Sequence, residues 1–237
     1  MAAVKNLYNK LMDINKINLL LKANAEETYC KFSSALVPNC RMLGVRLPIL
    51  RKIAKDISAQ DWQYYFLNSP EDYLEQVMLK GFLLGYIKDI GLLLKYLKLY
   101  IHKINNWSVC DSPLSSLKLI KKHQKEVWLF LQPYLKDNRE FYGRSAACLL
   151  MDYFIDETYI KNTLEALSKI KAQGYYSKMG VAWALSVCYV KFPEETEFYF
   201  RENIFDIETH NKAIDKINDS LRVSRQAKDR LKTLKRK

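Results

Sequence analysis

The chain is short of the residues that make turns. Seven glycines and six prolines in 237 residues are about half the usual complement of roughly 12%, and a β-sandwich or barrel needs far more. Long apolar runs are also missing. None approaches the ~18 residues of a membrane span, and the opening MAAVKNLYNKLMDINKIN is amphipathic and broken by charge, unlike a secretory signal. The five cysteines (Cys30, Cys40, Cys110, Cys148, Cys188) form no CxxC pair, and the three histidines (His102, His123, His210) are scattered. A disulfide framework and a zinc site are therefore not expected, and reduced thiols fit a soluble protein of the cytoplasm. No GxSxG, Walker-type, GxGxxG or HExxH sequence occurs, which tells against the common hydrolases, kinases and metalloenzymes.

What is present supports a large core. Hydrophobic residues make up 49% and aromatic residues 13%, and the length suits a single domain over 1–237. The 38 lysines and arginines outnumber the 26 acids, leaving a net charge of +12. Such a surplus suggests a polyanionic partner, either nucleic acid or an anionic membrane surface.

Apolar residues recur at spacings of three and four, as in Leu74, Val77, Met78, Phe82 and in Leu92, Leu93, Tyr96, Leu97, Tyr100, so the chain reads as consecutive helices. The breaks predict helices over 3–22, 25–37, 48–58, 71–87, 89–103, 107–122, 125–135, 139–155, 157–171, 175–191, 194–202, 206–218 and 220–235. Many short helices with few glycines suggest an α-solenoid. A step of 34 residues aligns Leu83, Leu117, Met151 and Leu185, and likewise Leu79, Pro113, Ala147 and Val181, as buried positions. The same step aligns Gln76, Cys110, Arg144, Lys178 and Lys212. If the helices stack side by side, Arg144, Lys178 and Lys212 form a basic row with Asp111 beside it.

Residues 211–237 hold ten basic side chains, among them Lys212, Lys216, Arg222 and Arg225, against three acids. Ile214, Ile217, Leu221, Ala227, Leu231 and Leu234 keep an apolar stripe through this stretch. It therefore reads as a docked cationic helix or helix pair, with its last few residues frayed. Such a segment can bind phosphates without sequence preference, or simply be a solvated face.

Three segments carry candidate chemistry. In INNWSVCDSPLSSLKLI, Trp107 and Asp111 are four apart and share a face if the segment is helical, with Asn105 or Asn106 as cap. Pro113 offers another reading, in which Ser112 caps a helix starting at Pro113 and Asp111 lies in the loop. The plainer possibilities are that Asp111 only caps a helix and that Trp107 fills the core. In SKMGVAWALSVCYV, Trp183 stands among apolar and small residues, where a core role is again the default. Arg144 follows Gly143 in GRSAACLLMDYF; a guanidinium at a helix start is poorly matched to the dipole, which favours an anionic partner, whether a phosphate or Asp111.

Taken together, GVRLPILRKIAKDI (44–57), NWSVCDS (106–112), Arg144, the WAL segment around Trp183 and NKAIDKINDSLRVS (211–224) resemble the AlkD-like DNA alkylation repair family. The likeness spans nearly the whole chain. It implies an all-α solenoid of HEAT-like repeats, curved around a basic concave groove that grips duplex DNA. It also implies a monofunctional glycosylase that releases N3- or N7-alkylated purines without cofactor or metal, acting as a monomer away from membranes. The family's catalytic Asp and two sugar-contacting Trp match Asp111, Trp107 and Trp183. Its phosphate-contacting Arg matches Arg144, and Lys178, Lys212, Lys216, Arg222 and Arg225 are the further candidate DNA contacts. Ser108 stands where better-known members carry an acid. Two rival readings keep the helices: a DNA-binding module without catalysis, and a scaffold for an acidic protein partner.

Overall fold

In the computed structural model, which describes residues 14–37 and 39–237, the protein is all-α. There are fourteen α-helices and one 3-10 helix, and no strand among the described residues. The start of the helix expected over 3–22, and Pro38, lie outside the described residues. The chain divides into two compact units, with the boundary in sequence between Leu119 and Ile120.

The first unit holds α1 (Ile14–Ala23), α2 (Glu27–Leu36), α3 (Leu47–Ser58), α4 (Trp62–Asn68), α5 (Leu74–Leu84), α6 (Ile90–Ile101) and α7 (Trp107–Leu114). The helix α3 packs on α5, and α5 on α7, while α4 and α6 lie against α5 as a covering row. In α3 the buried residues Leu50, Ile53, Ala54 and Ile57 fall on one face, the 3.6-residue pattern that makes such a helix dock. Ahead of it the chain turns at Gly44, whose φ of +86° and whose absent Cβ, which would stand 2.5 Å from the Glu26 carbonyl, admit no other residue without strain. The buried Glu75 of α5 fastens that turn by accepting from the amides of Leu43, Gly44 and Val45.

The second unit holds α8 (Gln124–Leu135), α9 (Glu140–Tyr153), α10 (Ile160–Ser168), α11 (Tyr175–Lys191), α12 (Pro193–Arg201), α13 (Ile207–Asp219) and α14 (Arg225–Lys232). Here α9 packs on α11 and α11 on α13, with α8, α10 and α12 as the covering row. Both units thus repeat one plan, a stacked helix followed by a covering helix, which is compatible with a helical-repeat solenoid.

The 34-residue step is the distance between successive stacked helices. Leu79, Pro113, Ala147 and Val181 are all buried, on α5, α7, α9 and α11. Gln76, Cys110, Arg144, Lys178 and Lys212 all fall near the starts of α5, α7, α9, α11 and α13.

Three departures from the expected helices are the largest. The short α4 was not foreseen, because its buried residues Tyr65 and Phe66 are adjacent rather than spaced three or four apart; Asp61 caps it by accepting from the Tyr64 amide at 3.1 Å. The helix expected over 107–122 ends at Leu114, where the hydroxyls of Ser115 and Ser116 donate back to the carbonyls of Ser112 and Pro113. The helix expected over 220–235 begins only at Arg225. Leu221 is not part of an apolar stripe: it is 99% exposed in the preceding turn.

Candidate active site

The helix α7 starts at Trp107. Asn106 is its cap, its side-chain oxygen accepting from the amides of Ser108 at 3.0 Å and Val109 at 3.2 Å, so two of the helix's orphan donors are satisfied there. Ser112 is not a cap, and Asp111 is neither a cap nor a loop residue. It lies within the helix, half-buried, one turn beyond Trp107, so that the carboxylate and the indole share a face.

Pro113 sits inside this helix and brings no amide hydrogen, which deprives the Val109 carbonyl of its helical donor. The Tyr100 hydroxyl of α6 replaces that donor at 2.6 Å. Burial holds the Tyr100 phenol well above its ordinary pKa, so the hydroxyl keeps the proton it donates. Space for this arrangement comes from Gly81 of α5: a Cβ there would stand 2.4 Å from the Tyr100 ring and 2.6 Å from Pro113. The orientation of α7, and with it of Asp111, is thus fixed from two neighbouring helices.

Trp107 is half-buried rather than a core residue. Its indole N–H donates to the Leu36 carbonyl at 3.1 Å, and the residue lines a small apolar cavity with Phe32, Leu36 and Ser112.

In the second unit, Trp183 is also half-buried, and the core role that its apolar neighbours suggested does not hold. It lines an open depression of about 370 Å³ together with Lys191, Lys216 and Arg222, three cations beside one indole, with Asp219 as the single acid of the lining.

Arg144 does not open a helix, as the sequence suggested; it is the fifth residue of α9 and only 7% exposed. Its guanidinium donates to the Tyr176 carbonyl at 2.8 Å. Gly180 of α11 leaves room for its stem, since a Cβ there would meet the Arg144 Cγ at 3.2 Å.

Lys178 reaches Glu208 at 2.9 Å and Asp206 at 3.5 Å. Its pKa is raised, chiefly by the hydrogen bond to Glu208. This lysine has anionic partners within the protein, two acids near the start of α13 that single-residue spacing did not reveal.

Lys212 and Arg222 are exposed and, among the described residues, form no ion pair; Lys216 is half-buried in the wall of the Trp183 depression. Arg225 pairs with Asp229 one turn on, at 3.1 Å. The terminal segment, expected to fray over its last few residues, is docked as far as Arg236. Leu231 is fully buried, and Arg230 meets the buried Glu197 at 2.6 Å. Asn211 and Arg236 exchange two hydrogen bonds through the Arg236 backbone. Burial works against the charge of Glu197, but the bonds from Arg201 and Arg230 outweigh it and hold its pKa below the usual carboxylate value.

None of the five cysteines forms a disulfide, and burial pushes the Cys188 thiol up to about 12. No helix among the described residues is long and apolar enough to cross a membrane.

The family model described as DNA alkylation repair enzyme matches residues 17–213, which takes in α7, Trp183 and Lys212 but stops short of Lys216, Arg222 and Arg225. No curated protein matches the chain.

Proposed function

The chain belongs to the DNA alkylation repair enzyme family, and from that premise we propose that it is a monofunctional glycosylase hydrolysing the N-glycosidic bond of cationic N3- or N7-alkylpurines in duplex DNA. Asp111 is the electrostatic catalyst, and Trp107 and Trp183 are sugar contacts. Arg144, Lys178, Lys212, Lys216, Arg222 and Arg225 serve the phosphates. The observation that carries this reading is the place of Asp111 in α7: it is half-buried within the helix, one turn from Trp107 and on the same face, while Asn106 does the capping.

The chemistry suits one carboxylate. Alkylation at N3 or N7 makes the purine cationic, so when its bond to C1′ breaks the base departs neutral with the bonding electrons and needs no general acid. Positive charge develops on the deoxyribose. A fixed carboxylate stabilises that charge as it forms, and indole faces favour it through their quadrupole. A water oxygen then bonds to C1′ and loses its proton, to Asp111 or to solvent, leaving an abasic site. Glycosidases that expel a poor leaving oxygen need a second carboxyl group as acid; no such partner is required here.

The lysines and arginines act through sequence-independent phosphate contacts, with affinity that falls as salt rises. Lys212 and Arg222, exposed and without an ion pair among the described residues, are the strongest of these contacts. Lys178 is the weakest, because Glu208 and Asp206 already neutralise it.

The test is substrate discrimination. Duplexes carrying 7-methylguanine or 3-methyladenine are incubated with the protein, and the free base is separated and quantified. Release of these bases from their cationic nucleotides, with none from a duplex carrying the neutral O6-methylguanine, is the expected result. Salt-dependent duplex binding without any release would instead support a binding module.

A further inference from the structure

A second depression has the same construction as the one beside Trp183. In the first unit it lies where α5 and α7 end, with a volume of about 360 Å³, and is lined by Lys88, Ser115, Ser116, Lys118 and, from α3, Arg51. In the second unit the Trp183 depression lies where α11 and α13 end. Three steps of 34 residues carry Gly85 onto Val187, Lys88 onto Val190 and Lys118 onto Ser220. Each of these six residues lines its own depression. The repeat therefore builds one kind of hollow twice.

The charged residues of the first hollow are all cations. No acid lines it; Lys88 and Lys118 are exposed and make no ion pair among the described residues. Arg51 is held in place: its guanidinium lies over the Phe82 ring at 4.4 Å and donates to the Ser112 carbonyl at 3.4 Å. Lysines following a helix complement its dipole and need no ligand for that. Arg51 does not fit this explanation, because it belongs to the interior of α3, which runs on to Ser58. Three cations brought to one hollow from three separate stretches of chain suit a single anionic ligand, and a phosphodiester satisfies both the point charges and a forked guanidinium.

We propose that this hollow is a phosphodiester subsite for one strand of duplex DNA, with Lys88 and Lys118 as its point charges and Arg51 as its oriented donor. The identity of the polymer rests on the repair reading above; the subsite itself rests on the hollow, its charge and its place in the repeat. None of its three cations belongs to the helix face that carries Asp111 and Trp107.

The test uses the full chain and undamaged duplex DNA, measuring the affinity across a salt series. Neutralising both lysines as Lys88→Gln with Lys118→Gln is expected to make the slope of log affinity against log salt shallower by about 2, since each phosphate contact contributes about 0.9. Lys88→Arg with Lys118→Arg is expected to keep the original slope. Lys161→Gln, on the covering helix α10, is expected to leave it unchanged. All these side chains are exposed, so folding does not confound the comparison. An unaltered slope in the double Gln variant, with duplex binding and base release intact, would overturn the subsite and leave the repair reading standing. Failure of the unsubstituted protein to bind duplex at all would overturn both.

Discussion

The Tyr100 hydroxyl donates to the Val109 carbonyl at 2.6 Å, the acceptor that Pro113 leaves without its helical partner. A proline in the middle of a helix ordinarily costs the helix its course. Here a neighbouring helix supplies the missing donor, and the turn carrying Asp111 stays intact.

Removing that donor strands a buried carbonyl. Tyr100→Phe is expected to destabilise the protein by about 1–3 kcal/mol in urea denaturation. In a Pro113→Ala background the restored amide can serve Val109, so the same substitution should cost much less there. Equal costs in the two backgrounds would contradict the pairing.

Gly81 makes the room for this contact. Gly81→Ala would place a Cβ 2.4 Å from the Tyr100 ring and 2.6 Å from the Pro113 Cβ, and is expected to lower stability by about 1–3 kcal/mol. Gly91→Ala, where the nearest atom is 3.4 Å away, is expected to be stabilising by about 0.4–1 kcal/mol through the unfolded chain. Thermal or urea unfolding of the two variants compares them directly.

The basic residues should not be equivalent toward DNA. Lys212→Ala and Arg222→Ala are each expected to reduce the salt slope of duplex binding by about 1. Lys178→Ala should reduce it less and lower stability instead, because it leaves Asp206 and Glu208 without their cation. Titration of duplex DNA at several salt concentrations, alongside urea curves, separates the two effects.

His210 makes stability depend on pH. Its side chain is wholly buried, and Nε2 lies 2.9 Å from the Leu234 carbonyl. Burial lowers its pKa; the Leu234 carbonyl works the other way, and the charge of Arg236 adds to the lowering. The unfolded chain, with its histidine near 6.5, therefore takes up the proton first as pH falls. Stability is fully present above about 6.5 and declines as pH drops below it toward the folded value. The urea midpoint should fall on acidification from about pH 7.5 to 5.5, and His210→Gln should flatten that fall. Glu197 and Asp206, whose pKa values are lowered, add their losses only at lower pH.

Much of the fold was legible because helical periodicity and a fixed repeat are local properties of the chain. The 34-residue step found the stacked helices, and an Asn ahead of Trp107 found the cap. What escaped depended on contacts between distant stretches. Tyr65 and Phe66 are buried side by side in α4 against α5 and α6, with the Phe66 ring 5.0 Å from Tyr96, so no helical spacing announced them. Lys178 counted as a free cation until Asp206 and Glu208, about thirty residues on, were brought to it. Leu221 fitted an apolar stripe on paper, yet the turn at Ser220–Ser224 leaves it in solvent. The last few residues read as frayed, yet Asn211 anchors the Arg236 backbone. Within the candidate site, spacing alone left Asp111 as a plain cap and Trp107 as a core residue; the family resemblance singled them out, and the capping by Asn106 decided between a helical acid and a loop acid.

The central claim is that the Asp111 carboxylate stabilises charge developing on the sugar. Its most direct test is the single-turnover rate of 7-methylguanine release by the unsubstituted protein and by Asp111→Asn, at matched occupancy of the same duplex. Loss of a catalytic electrostatic contact of this kind is expected to slow release by about 10²–10³-fold or more, with duplex affinity unchanged. Release at an undiminished rate by Asp111→Asn would contradict the account.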